Sequence, residues 1–127
     1  MSNKTILISA GGTGGHMSPA AALAKELIIR GHRVELATDD RGQKYTKMFP
    51  DIPVHVIKSG TAFAGIMGKI KGGLNLTLGI MKGLGVVRRI KPDIVVGFGG
   101  YPCVPAVFAA QLKGVPTGLH EQNAVLG

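Results

Sequence analysis

A glycine-rich segment near the amino terminus carries the residue types best suited to bind an anion. Residues 11–16 read GGTGGH, follow an apolar run at residues 5–8, and precede Ser18, Pro19 and an alanine-rich stretch. This order predicts a strand, a glycine loop and a helix with Ser18 as its N-cap and Pro19 as its first residue. Glycines let backbone N–H groups crowd a ligand, and a helix N-terminus favours negative charge. The segment therefore predicts a phosphate or diphosphate site, and His16 adds a group that can carry a proton near neutral pH.

The residues after the glycines exclude two common nucleotide-binding loops. Met17 stands where the dinucleotide fingerprint G-x-G-x-x-G needs its third glycine, and no lysine follows as a Walker A loop requires. Asp39 and Asp40 follow the second predicted strand, where a dinucleotide fold binds ribose. Without the fingerprint, we interpret both carboxylates as part of a solvated turn. A cofactor domain of an oxidoreductase and a tight turn without any ligand remain as alternatives.

The distribution of charge predicts contact with an anionic surface. The 127-residue chain has a formal net charge of +8, and no acidic residue lies between Asp51 and Asp93. Phe63 is the one aromatic residue of that stretch, which is rich in Ile, Leu and Met. This composition favours acidic lipid over nucleic acid, with an ordinary solvated helix face as the alternative. The residues predicted to touch the membrane are Lys69, Ile70, Lys71 and Leu74.

The cysteine and histidine positions give little support to metal or disulfide chemistry. Cys103 is the single cysteine, so the chain can form neither an internal disulfide nor a multi-cysteine metal site. His32 follows a glycine that ends a predicted helix, and His55 lies within a predicted strand, with no second ligand placed beside either. We expect no metal, no cofactor and no membrane-spanning segment, and the lack of a secretion signal favours the cytoplasm.

Short runs rich in Ile and Val alternate with helical patterns along the chain. We predict a clear helix after the glycine loop, weaker helices over residues 41–49 and 105–112, and two helices within residues 62–90, broken near Gly72 and Gly73. The alternation predicts an α/β fold with a Rossmann-like, doubly wound parallel sheet, whose ligands bind beyond the carboxyl ends of the strands. The five predicted strands cover residues 5–9, 34–38, 54–58, 93–97 and 115–120.

Three loops are expected to converge at that edge of the sheet. They are residues 11–16, residues 97–101 (GFGGY) and residues 120–123 (HEQN), each after a predicted strand. The glycines permit close backbone approach, while the other residues offer a phenol, two imidazoles, a carboxylate and two amides. Sugar and diphosphate recognition needs such a mixture. His120 could act on a substrate or bond to neighbouring loops, and Glu121 could be structural or could act as a base in place of His16.

In this order, the three loops resemble those of the MurG family, the bacterial N-acetylglucosaminyltransferases that complete the lipid-linked peptidoglycan precursor. The strand at residues 91–96, KPDIVV, is also similar, and the resemblance covers the chain from Lys4 to its end. It implies the amino-terminal half of a two-domain glycosyltransferase of the GT-B architecture. Residues 1–127 would form an acceptor-binding domain that is incomplete at its carboxyl end, with the donor domain outside this chain.

The resemblance also implies a reaction, an inverting transfer of N-acetylglucosamine from UDP-N-acetylglucosamine to lipid I at the cytoplasmic face of the inner membrane. His16 is the candidate base, with Glu121 as the alternative, and the lipid contact lies within residues 62–78. The chain alone is expected to be inactive; a half-enzyme with a separate partner, or a membrane-surface module, is the alternative. Nucleic acid is not an expected partner. The expected substrate-binding residues are Thr13, Gly14, Gly15, Gly99, Gly100, Tyr101, His120, Gln122 and Asn123.

Overall fold

Strands and helices alternate throughout the part of the chain that the computed structural model describes, which is residues 3–11, 14–39, 41–57, 65–98 and 104–120. Each predicted strand is present, with ends that shift by a few residues. The strands are β1 (Thr5–Ala10), β2 (Arg33–Thr38), β3 (Val54–Val56), β4 (Ile94–Phe98) and β5 (Thr117–His120). The helices are α1 (Gly14–Ile29), α2 (Gly65–Ile90) and α3 (Val104–Leu112), and a 3₁₀ helix covers Gly42–Met48.

The strands form one parallel sheet in the order β3-β2-β1-β4-β5. The chain begins at the centre with β1, moves outward on one side to β3, and returns to the other side of β1 as β4. This change of direction is the topological switch point of a doubly wound sheet, and ligands bind outside the carboxyl ends of the strands there. The predicted α/β class is confirmed.

Helices cover both faces of the sheet. Neighbouring side chains of a strand point to opposite faces, so the fully buried Leu7 and Ile8 enter different cores. The face covered by α1 and the 3₁₀ helix is called the α1 face; its buried residues include Ile6, Ile8, Met17, Ala20, Ala24, Val34, Leu36, Phe49 and Phe98. The face covered by α2 and α3 is called the α2 face; its buried residues include Leu7, Ala37, Val86, Val87, Val95, Ala106, Ala109 and Ala110.

Helix α1 begins earlier than the sequence predicted. Its first residue is Gly14, so Ser18 and Pro19 lie inside the helix rather than at its start, and that prediction was wrong. Glycine has low helix propensity and proline removes one hydrogen bond, so local preference favoured the later start. Burial of Met17 in the core of the α1 face favours the earlier one, because the helical turn at residues 14–17 is what carries this side chain into the core.

Helix α2 is continuous, and the predicted break near Gly72 and Gly73 is absent. An interior glycine costs about 1 kcal/mol of helix stability relative to alanine. Two other glycines of α2, Gly79 and Gly83, are buried and recur at helical spacing with the buried Val86. Packing against the sheet and against the alanine-rich α3 therefore offsets the low propensity of these residues.

Candidate functional site

The carboxyl ends of β1, β4 and β5 lie side by side. The strand register pairs Ala10 with Phe98 and Phe98 with His120, which are the last residues of their strands. The glycine loop and the loops after β4 and β5 therefore start at neighbouring points on one edge of the sheet. The sequence predicted this convergence, because carboxyl ends of parallel strands share an edge.

The first turn of α1 is the candidate anion-binding element at this edge. Gly14, Gly15 and His16 are its first residues, and the first N–H groups of a helix have no partner within the helix. Gly15 is exposed, and no acidic residue lies in this turn. The unpaired N–H groups and the positive end of the helix dipole can therefore face a phosphate or diphosphate.

The structure describes only some of the predicted site residues. The backbone places His16 in the first turn of α1 and His120 at the end of β5, on the same edge of the sheet. The remaining predicted site residues lie outside the described parts of the chain, and their predictions stay as predictions. They are Thr13, Gly99, Gly100, Tyr101, Glu121, Gln122 and Asn123.

Asp39, directly after β2, is the residue that sequence reasoning most clearly misjudged. It was interpreted as part of a solvated turn, but it is fully buried. Its Oδ1 accepts a hydrogen bond from the backbone N–H of Gly42 at 2.8 Å, and its Oδ2 lies 3.3 Å from Nε of Arg41. A buried carboxylate needs such partners, because removal from water is costly for a charge. Asp40 lies outside the described residues.

His32 and His55 have partners within the protein. Nδ1 of His32 accepts a hydrogen bond from the backbone N–H of Lys4 at 3.1 Å. Nε2 of His55 lies 2.7 Å from Oε1 of the buried Glu35, whose other oxygen lies 2.8 Å from Nη2 of Arg33. No group of three or more His, Cys, Asp and Glu that could hold a metal ion occurs among the described residues.

The outer surface of α2 combines apolar and basic side chains. Leu78 and Met81 are 55% and 62% exposed, and Lys82, Arg88 and Arg89 are exposed on the same helix. The predicted membrane residues Lys69, Ile70, Lys71 and Leu74 lie on α2 as well, but their side chains are outside the described part of the molecule. Within the described residues, no helix is both long and apolar enough to cross a bilayer.

Comparison with known sequences identifies the relatives of this chain. The glycosyltransferase family 28 N-terminal domain matches residues 6–127. The chain is 50% identical over its whole length to the UDP-N-acetylglucosamine--N-acetylmuramyl-(pentapeptide) pyrophosphoryl-undecaprenol N-acetylglucosamine transferase of Rhodospirillum centenum, of which it covers 34%. The enzyme of the same name from Caulobacter vibrioides is 48% identical over 98% of the chain, which covers 35% of it. The chain thus spans about a third of the length of these curated relatives.

Comparison with solved structures gives the same result. The crystal structure of Acinetobacter baumannii MurG matches 99% of this chain with a TM-score of 0.81 and 33% identity, and the match covers 37% of that chain. The calicheamicin glycosyltransferase CalG4 matches with a TM-score of 0.66 at 19% identity, a likeness of fold alone. These matches confirm the predicted amino-terminal half of a GT-B fold and the resemblance to MurG. The chain belongs to the glycosyltransferase family 28 N-terminal domain.

Proposed function

We propose that this chain is the acceptor-binding domain of an inverting glycosyltransferase that converts lipid I into lipid II. The donor is UDP-N-acetylglucosamine, and the acceptor is a muramoyl peptide linked to undecaprenyl diphosphate. The observation that carries the proposal is the register of Ala10, Phe98 and His120, which starts two glycine-rich loops and one polar loop at one edge of the sheet. Membership in glycosyltransferase family 28 supports the same assignment.

The first turn of α1 holds a diphosphate in this proposal. The N–H groups of Gly14 and Gly15 donate to its oxygens, and the lack of an acidic residue in this turn leaves the positive end of the helix dipole unopposed. Thr13 and Asn123 contact the donor. Gly99, Gly100, Tyr101, His120 and Gln122 complete the cleft from the loops after β4 and β5.

A single displacement accounts for inversion at the anomeric carbon. The acceptor hydroxyl oxygen forms a bond to the anomeric carbon while the bond from that carbon to the UDP oxygen breaks, and UDP leaves with the electron pair. The hydroxyl proton goes to His16, which lies in the turn proposed to hold the anion, or to Glu121 if that carboxylate is the base. No covalent intermediate on the protein is required.

The outer surface of α2 binds the membrane in this proposal. Exposed apolar side chains such as Leu78 and Met81 enter the interface, while Lys82 and the basic residues further along α2 approach anionic headgroups. Lys69, Ile70, Lys71 and Leu74, which precede these residues on the same helix, are proposed to contribute to the membrane contact. The protein then sits peripherally on the cytoplasmic face of the inner membrane, where lipid I is presented.

A transfer assay tests the proposed reaction. It uses the full-length protein, which here means this domain together with the donor domain that the proposal requires. We expect radiolabel from UDP-N-acetylglucosamine to appear in a product that co-migrates with lipid II when a lipid I analogue is present. UDP-glucose and UDP-N-acetylgalactosamine serve as control donors, and each should give little product. Proton NMR of the product should show the β-linked sugar expected from inversion of an α-linked donor.

Two outcomes contradict the proposal. Transfer of the sugar to water alone, with no glycolipid product, would remove lipid I as the acceptor. Binding of a nicotinamide or flavin cofactor by the full-length protein, with no sugar transfer, would favour the oxidoreductase alternative instead.

A further inference from the structure

The residues at the end of β2 contact the chain on both sides of the glycine loop. Thr38, Asp39 and Gly42 are together called the β2 exit. On one side, Gly42 is packed so closely that a Cβ atom there would lie 2.9 Å from Cα of Gly11 and would also collide with the hydroxyl of Thr38. On the other side, the Thr38 hydroxyl lies 4.0 Å from Sδ of Met17, within reach of a weak hydrogen bond to sulfur. Gly11 precedes the loop's remaining residues and Met17 follows them, so the β2 exit contacts both ends.

Burial makes these contacts specific. Thr38, Gly42, Gly11 and Met17 are all buried, and Met17 belongs to the core of the α1 face. Since protein interiors are closely packed, a shift of the β2 exit would transmit to Gly11 and to the first turn of α1. The position of that turn therefore depends on residues that are distant in sequence.

Asp39 fixes the conformation of the β2 exit. Its buried carboxylate accepts a hydrogen bond from the Gly42 N–H at 2.8 Å. This bond closes the turn between β2 and the 3₁₀ helix and so positions Gly42 beside Gly11. The second carboxylate oxygen faces the guanidinium of Arg41, which is 52% exposed. A charge-assisted hydrogen bond in a buried site is stronger than one between neutral groups, so this bond stabilises the closed turn.

We propose that Asp39 is a positioning residue that, through Gly42 and Thr38, holds Gly11 and the first turn of α1 where their N–H groups meet a diphosphate. The consequence for catalysis rests on the proposed function, whereas the mechanical role of Asp39 does not. Asp39 itself touches no substrate in this proposal. It acts because a helical turn that is fixed in advance needs no reorganisation when the anion binds.

Hydrogen exchange in the full-length protein tests the mechanical role without an activity assay. Within α1, the amides of Ser18 and Ala20 bond to the carbonyls of Gly14 and His16, so their exchange reports on the first turn. We expect Asp39→Ala and Gly42→Ala to accelerate exchange in the peptide over residues 14–22 by about tenfold or more. Val87→Ala, a buried change on the α2 face, is the matched control and should leave this peptide unchanged.

Steady-state kinetics tests the consequence. We expect Asp39→Ala to lower kcat by about tenfold or more at a temperature well below its melting point, with the KM for UDP-N-acetylglucosamine nearly unchanged. Asp39→Asn keeps an oxygen that accepts the Gly42 N–H and should recover much of the lost rate. Val87→Ala should lower the melting temperature without a comparable fall in kcat.

The possible failures are distinguishable. Unchanged exchange at residues 14–22 in both Asp39→Ala and Gly42→Ala would overturn the positioning role, whatever the kinetics show. Loss of kcat that merely follows loss of folded protein, in Asp39→Ala and Val87→Ala alike, would also overturn it. If the parent enzyme transfers no sugar to lipid I, the proposed function fails, and the exchange result still decides the role of Asp39.

Discussion

The α1 face and the α2 face differ in how their helices are held. Helix α1 is anchored at its first turn, where Met17 is buried and the exit from β2 packs against the adjoining chain. Over its described side chains, residues 77–90, helix α2 is anchored by buried glycines and valines, and its outer surface there is apolar and basic. The α1 face therefore places one turn accurately at the edge of the sheet, whereas the α2 face presents a long surface.

The largest expected effect tests whether the core of the α2 face stabilises the fold without positioning the reacting groups. Leu7 is fully buried in the core of that face, so Leu7→Ala should lower the free energy of unfolding by about 2–5 kcal/mol. Urea denaturation of the full-length protein, followed by circular dichroism, measures the loss. The kcat of the molecules that remain folded should stay near the parent value, and a large fall in kcat would break the comparison.

The neighbouring residue provides the matched control for the opposite face. Ile8 is also fully buried, but in the core of the α1 face. Ile8→Val removes one methylene group and should cost about 0.5–1.5 kcal/mol. If this small change lowers kcat more than Leu7→Ala does, the α1 face is the one that positions the reacting groups.

A second prediction concerns the first turn of α1 itself. In the full-length enzyme, His16→Ala should lower kcat by about a hundredfold or more, as expected for loss of a general base, and should change donor binding little. Isothermal titration with UDP-N-acetylglucosamine measures the binding. An unchanged kcat would assign the role of base to Glu121 or to another group. A large fall in kcat in Glu121→Gln, measured in the same assay, would then assign it to Glu121.

The strands were predictable from sequence because their signal is local. Short runs rich in Ile and Val, bounded by Gly, Pro or Asp, identified each of the five strands, and alternation with helices gave the doubly wound sheet. The shared edge at which the three loops start followed from the same reasoning, since parallel strands share one carboxyl edge.

The errors have a common physical cause in contacts between distant parts of the chain. The early start of α1 accompanies burial of Met17, and Asp39 is buried in a turn whose Gly42 lies close to Gly11. The continuity of α2 depends on its packing against the sheet and α3. A signal for Asp39 does exist in the sequence, since an aspartate at a strand exit followed by Arg41 and Gly42 is typical of a closed turn.

A third prediction tests the surface role of α2. The full-length protein should bind vesicles that contain phosphatidylglycerol more tightly than neutral vesicles, and added salt should weaken the binding. Each basic residue near such a surface contributes about 1 kcal/mol, so the double change Lys69→Glu and Lys71→Glu should remove most of the preference. Co-sedimentation with vesicles measures it, with circular dichroism as the check on folding.

The 3₁₀ helix offers the matched control for this charge reversal. Lys44 and Lys47 are both exposed and lie on the α1 face side of the sheet. The double change Lys44→Glu and Lys47→Glu alters the net charge by the same amount and should retain most of the vesicle preference. Equal losses in the two double variants would mean that net charge, rather than the α2 surface, attracts the membrane.

The smallest expected effect sharpens the contrast between the two ends of α1. At its carboxyl end, Nε of Arg30 lies 2.9 Å from Oε1 of Glu26, and both side chains are more than half exposed. An exposed pair at this spacing stabilises a helix by about 0.3–0.5 kcal/mol, so Arg30→Ala should change the free energy of unfolding by no more than that. Neither kcat nor hydrogen exchange over residues 14–22 should change. If Arg30→Ala instead accelerated exchange there as Asp39→Ala is expected to do, α1 would move as one rigid body, and the exit from β2 would have no special role in placing its first turn.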